Sequence, residues 1–121
     1  MSCKLALSIA LAFFVSAETA SAHHSFQMFD QTKSVTLEGT VKEFQWANPH
    51  VFLELNVIGA DGKVVNYSLE NSAPGTLRRR GWRITSLKPG DKVTVVMAPL
   101  RSGQNGGLMR TVTKQDGTVL K

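Results

Sequence analysis

Residues 51–70, VFLELNVIGADGKVVNYSLE, decide the fold class because they contain the full pattern of a β-hairpin. Apolar residues alternate with other residues along the first half of this stretch, at Val51, Leu53, Leu55 and Val57. Such alternation is typical of a strand with one buried face. The segment 60–63, Ala-Asp-Gly-Lys, has the chemistry of a tight turn, and residues 64–70 return as the partner strand. We therefore predict two antiparallel strands at the centre of the chain.

Further β-structure flanks this hairpin on both sides. Residues 35–41 alternate, and Gly39 followed by a change of phase predicts one long strand with a bend or a bulge. Residues 93–97 and 108–114 are rich in β-branched residues, and a glycine-rich loop at 99–107 separates them. Together with the hairpin, these segments predict five strands.

One short helix is predicted between the third and fourth strands. Ser72 can cap it, Pro74 suits its first turn, and Gly81 can end it. The chain is therefore expected to be all-β with one short helix. Five strands interrupted by a helix after the third are the order of a small OB-like antiparallel barrel, which we assign to residues 35–121. A small open β-sandwich is the alternative.

The first 22 residues have the composition of an export signal. Lys4 supplies an early charge, residues 5–15 form an apolar run, and Ala20-Ser21-Ala22 provides small residues for cleavage. The apolar run is well short of the ~20 residues that a helix needs to cross a bilayer. We therefore predict a signal peptide at residues 1–22, a periplasmic or secreted protein, and no stable membrane span after cleavage.

The cleavage position decides which residue begins the mature chain. Cleavage after Ala22 leaves His23 first, followed by a polar arm at 23–34 that precedes the barrel. A rival cleavage site lies after Ala17. The single cysteine, Cys3, leaves with the signal peptide. We therefore expect neither a disulfide nor a thiolate ligand in the mature protein.

The chain is basic, with a formal net charge of +5 and its densest cluster at Arg78-Arg79-Arg80 with Arg83. Export makes nucleic acid an unsuitable partner, and we predict that none is bound. A functional interpretation of the charge is attraction to anionic lipid, polysaccharide or an acidic protein. The simpler interpretation is a solvated, charged helix end.

Three histidines, His23, His24 and His50, are the strongest candidates for metal ligands. Imidazole binds copper, zinc and nickel well. At a free N-terminus, the amine and ring of His23 could chelate one ion, and a third nitrogen from His24 or His50 would complete a histidine brace. Alternatively, the pair belongs to a partnerless chain end, and His50 is a loop histidine bonded locally or packed beside Trp46.

Chain length allows the arm to reach His50. The strand from Val35 to Trp46 would span about 36 Å if straight, whereas an extended arm over residues 23–34 would reach roughly 40 Å. The arm must then double back along the barrel, or the strand must bend. Reach therefore permits a shared site without establishing one.

Other chemistry-bearing residues are expected near a ligand face of the barrel: Trp46, Asn48, Glu70 and Trp82. Glu54 and Glu70 could face each other across the hairpin. Aromatic side chains could line a stacking platform, although filling the core is the competing role. The sequence has neither a G-x-S-x-G nucleophile motif nor a phosphate-binding loop with its lysine. We therefore predict no catalytic residues.

Several of these segments resemble a known bacterial family. The start His23-His24-Ser25-Phe26, the motif Trp46-x-Asn48-Pro49-His50 and the segment 87–91, Leu-Lys-Pro-Gly-Asp, are similar to those of domain-of-unknown-function family 6152. The resemblance covers essentially the whole mature chain and implies a small exported protein with no established activity. Within the motif, Asn48-Pro49 initiates a turn that should present His50 at the barrel rim.

These observations favour an exported, non-enzymatic binding protein. It would hold a transition metal, copper in preference to zinc, through His23, His24 and His50. The first alternative is a metal-independent module that binds a periplasmic protein or an envelope glycan. The second is an enzyme with a copper brace, which requires a flat aromatic surface for its polymer substrate.

Overall fold

A computed structural model describes residues 26–121 of the chain. The described part contains strands and a short helix in the order β1 Val35–Gln45, β2 Phe52–Ile58, β3 Val64–Glu70, α1 Pro74–Arg79, β4 Lys92–Pro99, β5 Gly106–Lys114 and β6 Val119–Leu120. The five predicted strands and the helix are therefore confirmed in their predicted order. A sixth, two-residue strand was not predicted: Val119 and Leu120 pair with β5 as β6.

The five long strands close into a barrel. Their hydrogen-bonded order is β3-β2-β1-β4-β5, and β5 then pairs with β3. This confirms the all-β small-barrel fold class. The closing β3–β5 pair is parallel, which corrects the expectation that every neighbouring pair is antiparallel. The reason is geometric, since strands in a ring of five cannot alternate direction all the way round.

Strand β1 bends so that it belongs to both halves of the barrel. Its first half pairs with β4, and its second half pairs with β2 from Thr40 onward. The register with β2 shifts between Val41 and Glu43, as in a β-bulge. Gly39 lies where the backbones approach, because a Cβ there would be 2.5 Å from the carbonyl oxygen of Asn56. The predicted bent, bulged strand is therefore confirmed.

The barrel interior is filled by the apolar residues of the alternating pattern. Leu53 and Leu55 of β2, Leu69 of β3, Val95 of β4 and Val112 of β5 are fully buried. The opposite residues of β2 and β3 point outward, as a strand with one buried face requires. Burying the inner set supplies the hydrophobic stabilisation of the domain.

Helix α1 differs from its prediction at the cap. Its N-cap is Ala73, without a side-chain cap bond, so the predicted Ser72 cap is wrong. The backbone N–H of Ser72 donates instead to Oδ1 of Asn71, 2.8 Å away. Pro74 occupies the first turn as predicted, and Gly81 follows the helix with a φ of 92°. Across residues 26–121, no helix has the length and apolarity of a membrane span.

The described part of the predicted arm packs on the loop between β4 and β5. Phe29 is buried and forms a β-bridge with Leu100. The backbone N–H of Asp30 donates to the Pro99 carbonyl over 2.8 Å, and the N–H of Arg101 donates to Met28 over the same distance. The Arg101 side chain also donates to the Gln27 carbonyl, so the arm is attached to the barrel from Gln27 onward. The predicted signal peptide at 1–22 and the paired histidines lie outside the described residues.

Candidate functional site

The outer face of β2 and β3 has the position of the ligand face in OB-type barrels. Such barrels bind their ligands on strands 2 and 3 and on the loops after strands 1 and 4. Here those loops are residues 46–51 and 100–105. The outward-facing side chains of the two strands are Phe52, Glu54, Asn56, Ile58, Val64, Asn66, Ser68 and Glu70. This outer face is therefore mostly polar and includes two carboxylates.

His50 and Glu70 form a close pair at one end of this face. Nδ1 of His50 lies 2.7 Å from Oε1 of Glu70, with side-chain exposures of 31% and 14%. The β2–β3 ladder continues past the strand ends through Val51, whose N–H donates to Ser72 and whose carbonyl accepts from Asn71. The backbone beside His50 is consequently held in place, and the two side chains meet as a result.

The environment of Glu70 opposes its ionisation. Burial raises the pKa of the Glu70 carboxyl above its ordinary value, and the nearby His50 offsets part of that rise. At 2.7 Å, an Nδ1–H of His50 can donate to the carboxylate, which leaves the lone pair on Nε2. Carboxylates orient metal-binding histidines in this manner. Glu70 therefore orients the His50 ring in the way that a carboxylate orients a metal-binding or proton-transferring histidine.

Trp46 and Asn48 occupy the loop that leads to His50. The Trp46 ring lies 5.8 Å from the Phe44 ring, and the guanidinium carbon of Arg78 lies 5.7 Å from the Trp46 centroid. Asn48 is exposed and precedes Pro49 across a cis peptide bond. Trp46 therefore anchors the loop to the barrel and to α1, while Asn48 is available to solvent.

Trp82 is placed differently from the other predicted ligand-face residues. Its side chain is fully buried, and its ring lies 6.3 Å from that of Phe44. Its Nε1–H donates to the carbonyl oxygen of Lys121 at 2.9 Å. Trp82 is therefore a core residue and offers no surface to a ligand, which corrects the suggestion that it lines an exposed face.

The two hairpin glutamates are not direct partners. Phe52 lies opposite Glu70, and Glu54 lies opposite Ser68, whose hydroxyl donates to Oε1 of Glu54 over 2.7 Å. The suggested Glu54–Glu70 pairing is therefore wrong. Sequence reasoning missed Ser68, although counting outward from the turn at 59–63 would have given this register.

The described residues do not by themselves assemble a complete metal centre. Within residues 26–121, no group of three or more His, Cys, Asp or Glu side chains is arranged to hold a metal ion. His50 offers one nitrogen, and further ligands would have to come from elsewhere. His23 and His24 lie outside the described residues, so their role stays a prediction.

Part of the arm is held against the barrel, so a shorter length of chain is free to carry His23 and His24 toward the outer face. Because Arg101 donates hydrogen bonds to the carbonyl oxygens of Gln27 and Met28, the free length is the four residues from 23 to 26, at most about 14 Å. The N–H of Leu100 donates to the carbonyl oxygen of Gly106, and Gly106 pairs with Ser68 across β3 and β5. Phe29 is thus three strand spacings from Ser68, roughly 14 Å. The arm therefore has much less slack than its full length suggests.

The sequence of the chain matches one protein family over most of its length. The family model described as "Family of unknown function (DUF6152)" matches residues 12–110. The chain is a member of DUF6152. No curated protein and no solved structure matches it significantly. The matched range includes Trp46, His50 and Glu70, so the candidate site of this DUF6152 protein lies within the region that defines its family.

Proposed function

We propose that this DUF6152 protein is an exported, non-enzymatic protein that binds a transition metal, copper in preference to zinc. Its ligands would be His50 and the terminal pair, His23 and His24. The observation that supports this function is the 2.7 Å contact between Nδ1 of His50 and the largely buried carboxyl of Glu70. With Nδ1 engaged in this contact, Nε2 is the ring nitrogen left to bind a metal.

Placing the Glu70 carboxyl in a partly buried position costs free energy, which supports a functional role for this residue. Burial disfavours the charged form of its carboxyl, so the position would be occupied at lower cost by a neutral residue. Charged groups that are retained in such environments cluster at functional sites. His50 remains about one-third exposed beside it. An ion arriving from solvent therefore has access to the imidazole.

Copper fits the available donors better than the other common ions. With Cys3 removed during export, the mature chain would offer imidazole and amine nitrogen together with carboxylate oxygen. Cu(II) accepts such nitrogen-rich sets and binds most tightly among the divalent first-row ions. The sequence contains three histidines. They can supply one copper site with up to three imidazole ligands.

Calorimetric titration of the processed protein with Cu(II) and then Zn(II) tests this proposal. The protein is expressed with its own leader, and mass spectrometry identifies its first residue. We expect saturable binding of one Cu(II), weakened at least tenfold by His50→Ala and roughly 10- to 100-fold by Glu70→Gln. Gln45→Ala, an exposed neighbour at the end of β1, should bind like the unaltered protein. Absence of saturable binding, or equal affinity in His50→Ala, would contradict the proposal.

The polar outer face favours a second candidate, a metal-independent module for an envelope glycan or a periplasmic protein. The half-buried Phe52 lies opposite Glu70, and the Ser68–Glu54 pair extends the polar surface. Such a mixture of ring and hydrogen-bonding groups suits a sugar. Titration with soluble glycan fragments, followed by amide chemical shifts, should then perturb β2 and β3 in the presence of a chelator. Unchanged shifts on both strands would exclude this candidate for the glycans used.

A further inference from the structure

A second surface of the molecule is strongly cationic and lies on the helix side of the barrel. We define the arginine surface as residues 78–84, which contain Arg78, Arg79, Arg80, Arg83 and Ile84. The four arginines are exposed, and Ile84 is 63% exposed. This segment therefore combines the densest positive charge of the chain with one of its most exposed apolar side chains.

The four arginines have no carboxylate partner among the described residues. The ion pairs in residues 26–121 join Lys33 to Asp30, His50 to Glu70 and Lys88 to Asp91. The arginine surface takes part in none of them. Its positive charge is therefore not neutralised by neighbouring side chains, and it is open to an external anion.

Local structure explains only part of this charge. The Nη1 group of Arg83 donates to the carbonyl oxygens of Arg78 and Trp82, 3.3 and 2.8 Å away, near the C-terminal end of α1. A cation at that end interacts favourably with the helix dipole. One such cation suffices for the cap, and neither the Arg79 nor the Arg80 side chain is hydrogen-bonded to a helix-end carbonyl; the Arg79 guanidinium donates to the Thr76 hydroxyl, 3.4 Å away. The cap therefore leaves a surplus of charge unexplained.

Ile84 projects from a tight turn beside these cations. The N–H of Arg83 donates to Oγ of Ser86 over 2.7 Å, and the N–H of Ser86 donates to the Arg83 carbonyl over 2.9 Å. Ile84 follows Arg83 within this closed turn, so its exposure is fixed by the backbone. On the other side, Arg78 stacks over Trp46. Two of the four arginines, Arg78 and Arg83, thus have defined positions, and an exposed isoleucine directly follows Arg83.

From this geometry we infer that the arginine surface docks the protein on a membrane of anionic lipid. The cations attract lipid phosphates, and Ile84 enters the boundary between head groups and acyl chains. A surface for a soluble polyanion would need the charge but not the protruding isoleucine. The inference concerns a different set of residues from the metal site and does not depend on metal binding.

Vesicle co-sedimentation tests the docking surface directly. The chelator-treated, processed protein is mixed with vesicles of phosphatidylcholine alone or with one-third phosphatidylglycerol. We expect binding to the anionic vesicles that falls as salt rises, since each arginine near such a surface contributes about fivefold in partitioning. Arg79→Gln with Arg80→Gln should therefore lower the partition coefficient about 25-fold, and Ile84→Ser should lower it severalfold at unchanged charge.

A matched control variant distinguishes an effect of the arginine surface from an effect of the net positive charge of the protein. Lys63→Gln with Lys114→Gln removes the same charge at the β2–β3 turn and at the end of β5, and it should alter partitioning less than threefold. Circular dichroism checks that each variant is folded. Equal losses in both double variants, or absence of binding to anionic vesicles, would overturn the inference. Inhibition by millimolar inorganic phosphate with no effect of Ile84→Ser would instead assign a free-anion site and also overturn it.

Discussion

Glu43 of β1 and Glu54 of β2 are direct antiparallel partners on the outside of the barrel. Like charges placed opposite each other destabilise a sheet. Ser68 donates to Glu54 from the other neighbouring strand, so Glu54 is the better supported member of the pair. The repulsion is therefore best relieved by changing Glu43.

Glu43→Gln should stabilise the protein. Removing one of two opposed carboxylates relieves about 0.5 kcal/mol of repulsion at low salt, and this gain should shrink at high salt. Urea unfolding at two ionic strengths measures it. Glu38→Gln is the matched control, because Glu38 lies opposite Thr94 and has no opposed carboxylate there. A gain in Glu38→Gln equal to that in Glu43→Gln would show that net charge alone is responsible.

The carboxyl of Glu70 should titrate above the ordinary range for glutamate. Burial raises its pKa in the folded state, and His50 holds that rise in check. Carbon-detected NMR titration should therefore place the Glu70 pKa above 4.5, and higher still in His50→Ala. A Glu70 pKa that is unaltered by His50→Ala would contradict the electrostatic contact.

The raised pKa of Glu70 also determines whether its contribution to the free energy of unfolding grows or shrinks as the pH rises. A folded-state pKa above the unfolded value means that the folded protein binds the proton more tightly. The stability that Glu70 contributes is thus present below its unfolded pKa and is lost as pH rises through its folded pKa. Glu70→Gln should consequently gain stability relative to the unaltered protein over that pH window. Parallel pH dependences of unfolding in the two proteins would disprove this assignment.

Phe29 should be the main attachment of the arm. Its side chain is buried against the barrel at the bridge to Leu100, so Phe29→Ala should destabilise the protein by about 3 kcal/mol. Phe26→Ala removes the same ring from a position that is 45% exposed, and it should cost less than about 0.5 kcal/mol. Thermal unfolding compares the two. Similar midpoints for both variants would show that the arm is not held by Phe29.

Two glycines should respond in opposite directions to the same substitution. At Gly39, a Cβ would lie 2.5 Å from the Asn56 carbonyl oxygen, so Gly39→Ala should cost about 2 kcal/mol. At Gly75 in α1, a Cβ meets nothing within 4 Å, so Gly75→Ala should gain about 0.5 kcal/mol. Chemical unfolding measures both changes. A neutral Gly39→Ala would contradict the close approach of β1 to β2.

Regular alternation made the barrel predictable from the sequence. The inward set that begins at Val51 and Leu53 has a period of two, and the Asp61-Gly62 turn fixes the pairing of its hairpin. These local signals are strong because a shift by one residue would expose the apolar side chains. The parallel β3–β5 closure was not predicted, because no local pattern records a pairing between distant strands.

The candidate site was harder to predict because it depends on irregular backbone. His50 could be named as a potential ligand from its residue type, but its contact with Glu70 depends on the path of the loop from Trp46 to Val51. The predicted helix cap at Ser72 was wrong for a similar reason, because the Asn71 side chain accepts the hydrogen bond of the Ser72 N–H and sets the local backbone. Trp82 looked like a possible ligand residue, although the barrel needed its bulk in the core.

Electron paramagnetic resonance of the Cu(II)-loaded, processed protein tests the central claim most directly. Labelling the histidine rings with ¹⁵N alters the nitrogen couplings of any imidazole bound to copper. We predict that these couplings include a contribution that disappears in His50→Ala, whereas Gln45→Ala retains the full spectrum. Identical spectra for the unaltered protein and His50→Ala would show that copper does not bind His50.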